Sequence, residues 1–154
     1  MRTITDWLNE YGESHKNETN KLIHWICVPA IVFSILGLLY AVKLPFHVAG
    51  YQINVGLLIS LAALMYYFSL SPALSVGMFF YLAICMLLAN SIERSDIMPL
   101  WLFSIIIFVL AWVGQFYGHK IEGKKPSFLK DIQFLMIGPA WLMSFIYRKI
   151  GIAF

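Results

Sequence analysis

The stretch from Leu44 to Ile92 reads LPFHVAGYQINVGLLISLAALMYYFSLSPALSVGMFFYLAICMLLANSI, without a single Lys, Arg, Asp or Glu. A helix that crosses a bilayer needs roughly 20 predominantly apolar residues. These 49 residues would extend about 73 Å as one helix at 1.5 Å per residue, far too long for a single pass. The run must fold back. Ser69-Leu70-Ser71-Pro72 is the expected turn, because the residue before a proline is pushed out of helical geometry.

Two further charge-free runs flank it, Leu22 to Val42 and Ile97 to Gly118. Over the 154 residues, 60% are hydrophobic and 12% charged, against about 25% charged in soluble domains. The missing charge is concentrated in these runs, so the chain reads as an integral membrane protein. Four spans are expected, at roughly 22–42, 53–70, 73–91 and 98–117, after a polar, amphipathic N-terminal segment. The C-terminal stretch from Ile132 to Tyr147, interrupted by Gly138-Pro139, has 16 residues. It is marginal for a span and reads as an interfacial or re-entrant helix. The fold class is therefore an all-α membrane bundle, one domain over 1–154 without internal repeats.

The basic residues orient it. Nine of the eleven Lys and Arg side chains precede the first span or follow the fourth, leaving only Lys43 and Arg94 opposite. Such residues stay on the cytoplasmic side, which places both termini there. The N-terminus, polar and acidic around Asp6, does not read as a secretory signal. Compact length without targeting extensions points to a bacterial inner membrane rather than the endoplasmic reticulum. The net charge of +3 decides nothing by itself; no nucleic-acid partner is expected, the implied partner is the lipid bilayer, and a homo-oligomer stays open. Cys27 and Cys85 lie in different apolar runs, so neither a disulfide nor a zinc-type cysteine spacing is expected.

Against this background the histidines stand out. His15 and His24 flank the entrance to the first span; His119 follows the fourth, with Glu122 one turn beyond. Imidazole and carboxylate suit first-row metals such as Fe(II). Nine residues on a straight helix would point His15 and His24 in opposite directions. They can share an ion only if the chain breaks between them, and Lys16-Asn17-Glu18-Thr19-Asn20 supplies the break, with Asn17 or Thr19 as a cap. Each has a plainer reading alone: His15 as a solvent-exposed histidine, His24 beside Trp25 as an interfacial anchor. Gln115 shares a helix face with His119 and Glu122. Inside an apolar helix it needs a partner, either a metal-bound histidine or substrate, or else a neighbouring helix. Lys120, Lys124 and Lys125 answer anionic lipid or receive a fatty-acid carboxylate. Tyr11 and Asp131 are polar candidates without a specific role, and His47 reads as interfacial.

Taken in order, Tyr11-Gly12-Glu13-Ser14-His15-Lys16-Asn17, Asn20-Lys21-Leu22-Ile23-His24 leading to Pro29, and Gln115-Phe116-Tyr117-Gly118-His119 with Glu122-Gly123-Lys124-Lys125-Pro126 resemble the Mpo1-like family over nearly the whole chain. The resemblance implies an Fe(II)-dependent dioxygenase of fatty-acid α-oxidation, which uses O2 to cleave a 2-hydroxy fatty acid to the acid one carbon shorter. It implies His15, His24 and His119 as iron ligands, with Glu122 in the motif and a possible fourth. Rival readings differ in their demands. A membrane di-iron hydroxylase needs about eight histidines, and this chain has four. A transporter or scaffold would show charged groups deep in its spans, and none lies between Val55 and Ile92. A three-histidine site also suits Zn(II) and a lipid hydrolase.

Overall fold

The computed structural model describes residues 2–127 and 133–154. Its elements run α1 (Ile4–Gly12), α2 (Glu18–Tyr40), β1 (Lys43–Val48), β2 (Tyr51–Asn54), α3 (Val55–Leu70), α4 (Pro72–Arg94), α5 (Leu100–Glu122) and α6 (Phe134–Ile150). The chain is mostly helical. Among the described residues three helices, α2, α4 and α5, each of 23 residues, are long and apolar enough to cross a membrane.

The chain does turn back at Pro72. Ser71 is extended and its Oγ accepts from Leu74 N at 3.1 Å, capping α4, while proline fills the first helical position. The second expected span is shorter than a full crossing. Helix α3 has 16 residues, about 24 Å at 1.5 Å per residue, against a hydrocarbon core of about 30 Å. The reason lies upstream: residues 43–54, expected as a loop, form an antiparallel hairpin pairing Val48 with Tyr51. Ala49 and Gly50 both adopt positive φ, 49° and 83°, the pattern of a tight two-residue hairpin turn. Helix α5 continues beyond the expected end at 117 and carries His119 and Glu122 itself. Lys130, Asp131 and Ile132 lie outside the described residues.

Helices α2 and α5 form the closest pair, because small residues line their contact. Gly114 and Gly118 of α5 face α2: a Cβ at Gly114 would lie 2.6 Å from Cys27 Sγ, and one at Gly118 would overlap Asn20 Oδ1. Gly37 of α2 meets Ser104 in the same way toward the other end. Large apolar side chains of these helices, Ile26, Val109, Leu110 and Val113 among them, point outward, as a lipid-facing surface requires.

The end of this pair that carries Gly118 is closed by α1 and α6. Thr3 and Asp6 cap α1 reciprocally, and Asn17 caps α2 by accepting from Thr19 N and Asn20 N. Trp7, Leu8 and Tyr11 of α1 join Ile137, Ala140 and Trp141 of α6 in one buried cluster that reaches Val28 and Leu74. Helix α6 is pinned by polar contacts as well. Tyr67 donates to Met136 O at 2.7 Å; Tyr147 donates to Ala73 O and accepts from Gly77 N. It thus lies across the α3–α4 turn and under the mouth between α2 and α5.

Candidate metal centre

The break between α1 and α2 turns His15 back over the start of α2. His15 and His24 are each 1% exposed, His119 5%. The three rings converge, with centroids 4.2 Å apart for His15–His24, 5.0 Å for His15–His119 and 4.9 Å for His24–His119. One ring nitrogen from each can be chosen so that all three lie within 4.8 Å of one another.

Their protonation follows from the backbone. His15 Nδ1 lies 2.6 Å from Tyr11 O, and His24 Nδ1 lies 2.8 Å from Asn20 O. A carbonyl oxygen can only accept, so both Nδ1 atoms carry the proton and both Nε2 atoms present lone pairs. Yet the two Nε2 atoms are 2.9 Å apart. Two lone pairs at that distance repel unless a cation lies between or beside them. A proton is a poor candidate, because burial holds the His15 imidazole down to about 4. His119 Nδ1, also buried, meets no hydrogen-bond partner among the described residues, an arrangement that normally costs stability. The donor set therefore fits a borderline first-row metal ion, and the carbonyls of Tyr11 and Asn20 fix the tautomers as outer partners of ligating histidines do.

Glu122 sits beside the triad and faces the other way. Its two oxygens accept from Lys16 N and Asn17 N, each at 2.9 Å, and Oε2 also accepts from Asn20 Nδ2 at 3.1 Å. It clamps the loop that carries His15 to the helix that carries His119. Asn20 reinforces this clamp by donating to Ser14 O at 3.3 Å. In sequence Asn20 reads as part of the chain break, and no spacing rule singles it out. Lys124 Nζ donates to Glu13 O at 2.7 Å, while Lys120 and Lys125 are exposed at the same end. His47 is exposed on β1, remote from the triad.

His24 and His119 open onto a small cavity of about 40 Å³. Its polar end carries His24, His119, Tyr11, Gln115 and Ser127; its apolar end carries Val28, Ile31, Val32, Trp112 and Leu135. Gln115 is 5% exposed and makes no hydrogen bond among the described residues. Tyr11 stacks on His15, centroids 4.2 Å apart at 12°, and burial pushes its phenol pKa up.

The depressed His15 value has a consequence for stability. An unfolded histidine titrates near 6.5, so between pH 6.5 and about 4 the unfolded chain binds a proton that the folded chain does not. Stability is then full above pH 6.5 and falls as pH drops, by about 3 kcal/mol over that window. The metal-free protein should show this decline in its unfolding midpoint, and His15→Asn should make it shallower. Identical pH profiles for the two proteins would contradict the assignment.

Comparison with known proteins identifies the family of the chain. The family model described as 2-hydroxy-palmitic acid dioxygenase Mpo1-like matches residues 1–150. A protein of Saccharomyces cerevisiae named 2-hydroxy-palmitic acid dioxygenase MPO1 is 30% identical over 146 residues, covering 94% of this chain and 79% of its own. No solved structure matches. The chain, matched from its first residue to the end of α6, belongs to the Mpo1-like family.

Proposed function

We propose that this protein is a membrane-embedded Fe(II)-dependent dioxygenase that converts a 2-hydroxy fatty acid to the acid one carbon shorter. The observation that carries the proposal is the pair of Nε2 lone pairs 2.9 Å apart, both fixed by backbone carbonyls, with the unpartnered His119 beside them. His15, His24 and His119 would hold the ion. Bound there, Fe(II) supplies the redox chemistry that lets O2 react with the substrate. The name of the yeast relative supports the substrate class, and the cavity supports an amphiphile: polar at the triad, apolar toward Val32 and Trp112.

The protein's own part is to hold and shield. Tyr11 O and Asn20 O keep both imidazoles neutral and aimed. Glu122 acts as a positioning residue, since both of its oxygens are already engaged by the loop. Helix α6 covers the cavity from below with Phe134 and Gly138, keeping water from the reacting end. Lys120 and Lys125, exposed at the lip, attract the carboxylate of an arriving acid, with Lys124 ordering the loop. Gln115 is free to bond the bound head group. The basic residues gathered at this end support a cytoplasmic site, with both termini on that side; α3 then completes a fourth, short crossing.

The reaction balances without an external reductant. A 2-hydroxy acid plus one O2 gives the shorter acid, CO2 and water; the four electrons leaving carbon equal the four that O2 accepts. Purified protein supplied with Fe(II), O2 and 2-hydroxypalmitate should release the fifteen-carbon acid, detectable by mass spectrometry. Zinc as the only bound metal, with no product after iron loading, would sink the reading and favour a hydrolase.

A further inference from the structure

Among the polar groups lining the cavity, the scheme above leaves the hydroxyl of Tyr11 without a role. Its ring is fixed on three sides: stacked on His15, and tilted against Phe134 and Trp141 at centroid distances of 6.0 and 5.4 Å. The residue is 6% exposed, yet its hydroxyl makes no hydrogen bond among the described residues. The Tyr11 side chain lines the cavity and its hydroxyl is left unpaired there, whereas the other two tyrosines anchored at α6, Tyr67 and Tyr147, both donate to carbonyls. Tyr11 instead points where α6 has no side chain. A Cβ on Gly138 would come 3.0 Å from the Tyr11 hydroxyl and 3.5 Å from Val28 Cγ1. Gly138 lines the cavity, as do Tyr11 and Val28.

That contact fixes the depth of the hydroxyl. Val28 lies one turn beyond His24 on α2, so the phenol sits about one helical turn, roughly 5–6 Å, toward the apolar end from the triad. An acid entering with its carboxylate at the triad and the lysine-lined lip would bring the carbons next to the carboxyl group past this hydroxyl. The group there is uncharged, donates and accepts, and is surrounded by apolar walls. It matches a neutral hydroxyl on the substrate rather than a carboxylate.

We propose that the Tyr11 hydroxyl is the group that reads the 2-hydroxyl of the substrate, so that Tyr11 sets selectivity for 2-hydroxy over unsubstituted fatty acids. This rests on the fatty-acid reading of the cavity but not on turnover. A site built to bond a hydroxyl discriminates against the ligand that lacks it, because its own polar group is then stranded.

The test is equilibrium binding to the full chain in detergent, kept free of oxygen, by displacement of a fluorescent fatty acid with 2-hydroxypalmitate or palmitate. The wild-type protein should prefer the hydroxy acid roughly tenfold, the size of one hydrogen bond. Tyr11→Phe should bring the two acids within about twofold by weakening only the hydroxy acid, with metal content unchanged. Three results would each overturn the proposal: no preference in the wild-type protein, an unchanged preference in Tyr11→Phe, or equal weakening of both acids. If Tyr11→Phe does not fold, Gly138→Ala decides, since its Cβ, 3.0 Å from the hydroxyl, crowds the space in which a substrate hydroxyl would meet it and should narrow the same preference; an unchanged preference would overturn the proposal. A protein that shows the preference but never yields the shorter acid with Fe(II) and O2 refutes the dioxygenase reading and leaves this inference standing.

Discussion

His119→Ala should lose turnover of 2-hydroxypalmitate by more than about 100-fold and fail to retain iron, while remaining folded. The lower bound follows from the position of the residue: removing groups that merely orient a ligand costs 10–100-fold in metal affinity or activity, and His119 is one of three rings aimed at a common point. The expectation that the protein stays folded is equally physical. His119 Nδ1 is buried without a hydrogen-bond partner of normal geometry among the described residues, so deleting the ring leaves no strong bond broken, which offsets part of the cavity it leaves. Metal analysis and product formation on the purified variant, with its unfolding midpoint as control, check the prediction. Near-normal turnover would exclude the three-histidine centre.

Gly118→Leu should be as damaging, by a different route. Any Cβ at this position overlaps Asn20 Oδ1, and neither neighbour can give way cheaply. Asn20 is 0% exposed and its amide already bonds Ser14 O and Glu122. Helices α2 and α5 must therefore separate at the end where His24 and His119 face each other. Overpacking of this kind costs typically 1–3 kcal/mol, and a displacement near 1 Å costs on the order of 100-fold in rate. The variant should show both a lower unfolding midpoint and weakened iron binding. Gly123→Ala, by contrast, adds a Cβ that meets nothing; its φ of 73° confines the penalty to local strain at the end of α5. A Gly118→Leu protein with wild-type iron content would show that the close approach does not hold the centre together.

The long helices were legible because charge-free runs and one proline mark them. The turn at Ser71-Pro72 and the cap at Asn17 appear as the sequence suggests, while the break expected at Lys16 to Asn20 falls earlier, between Gly12 and Glu18, because the Asn17 cap leaves Glu18, Thr19 and Asn20 helical. The hairpin at 43–54 was not legible, since its turn is Ala49-Gly50 rather than an asparagine- or aspartate-glycine pair. Its presence shortens α3. The span count read from hydropathy alone therefore exceeds the three long helices among the described residues. For the centre, residue type and spacing name the histidines, but the facing lone pairs and the engagement of Glu122 depend on distances no spacing encodes. Asn20 and Tyr11 illustrate the limit. Each acts through a helix distant in sequence, α5 for Asn20 and α6 for Tyr11, and neither carries a local mark of that role.

The chain order of the three histidines has a temporal consequence. His15 and His24 emerge early, brought together by one turn, and their two nitrogens confront each other with nothing to bind between them. His119 comes from the last long helix, which a ribosome adding 5–20 residues per second delivers only after a delay on the order of ten seconds. Until that helix slides its glycines against the first, no cage exists. The meeting of the three rings thus reports that all three long helices have been threaded, before α6 arrives to close this end.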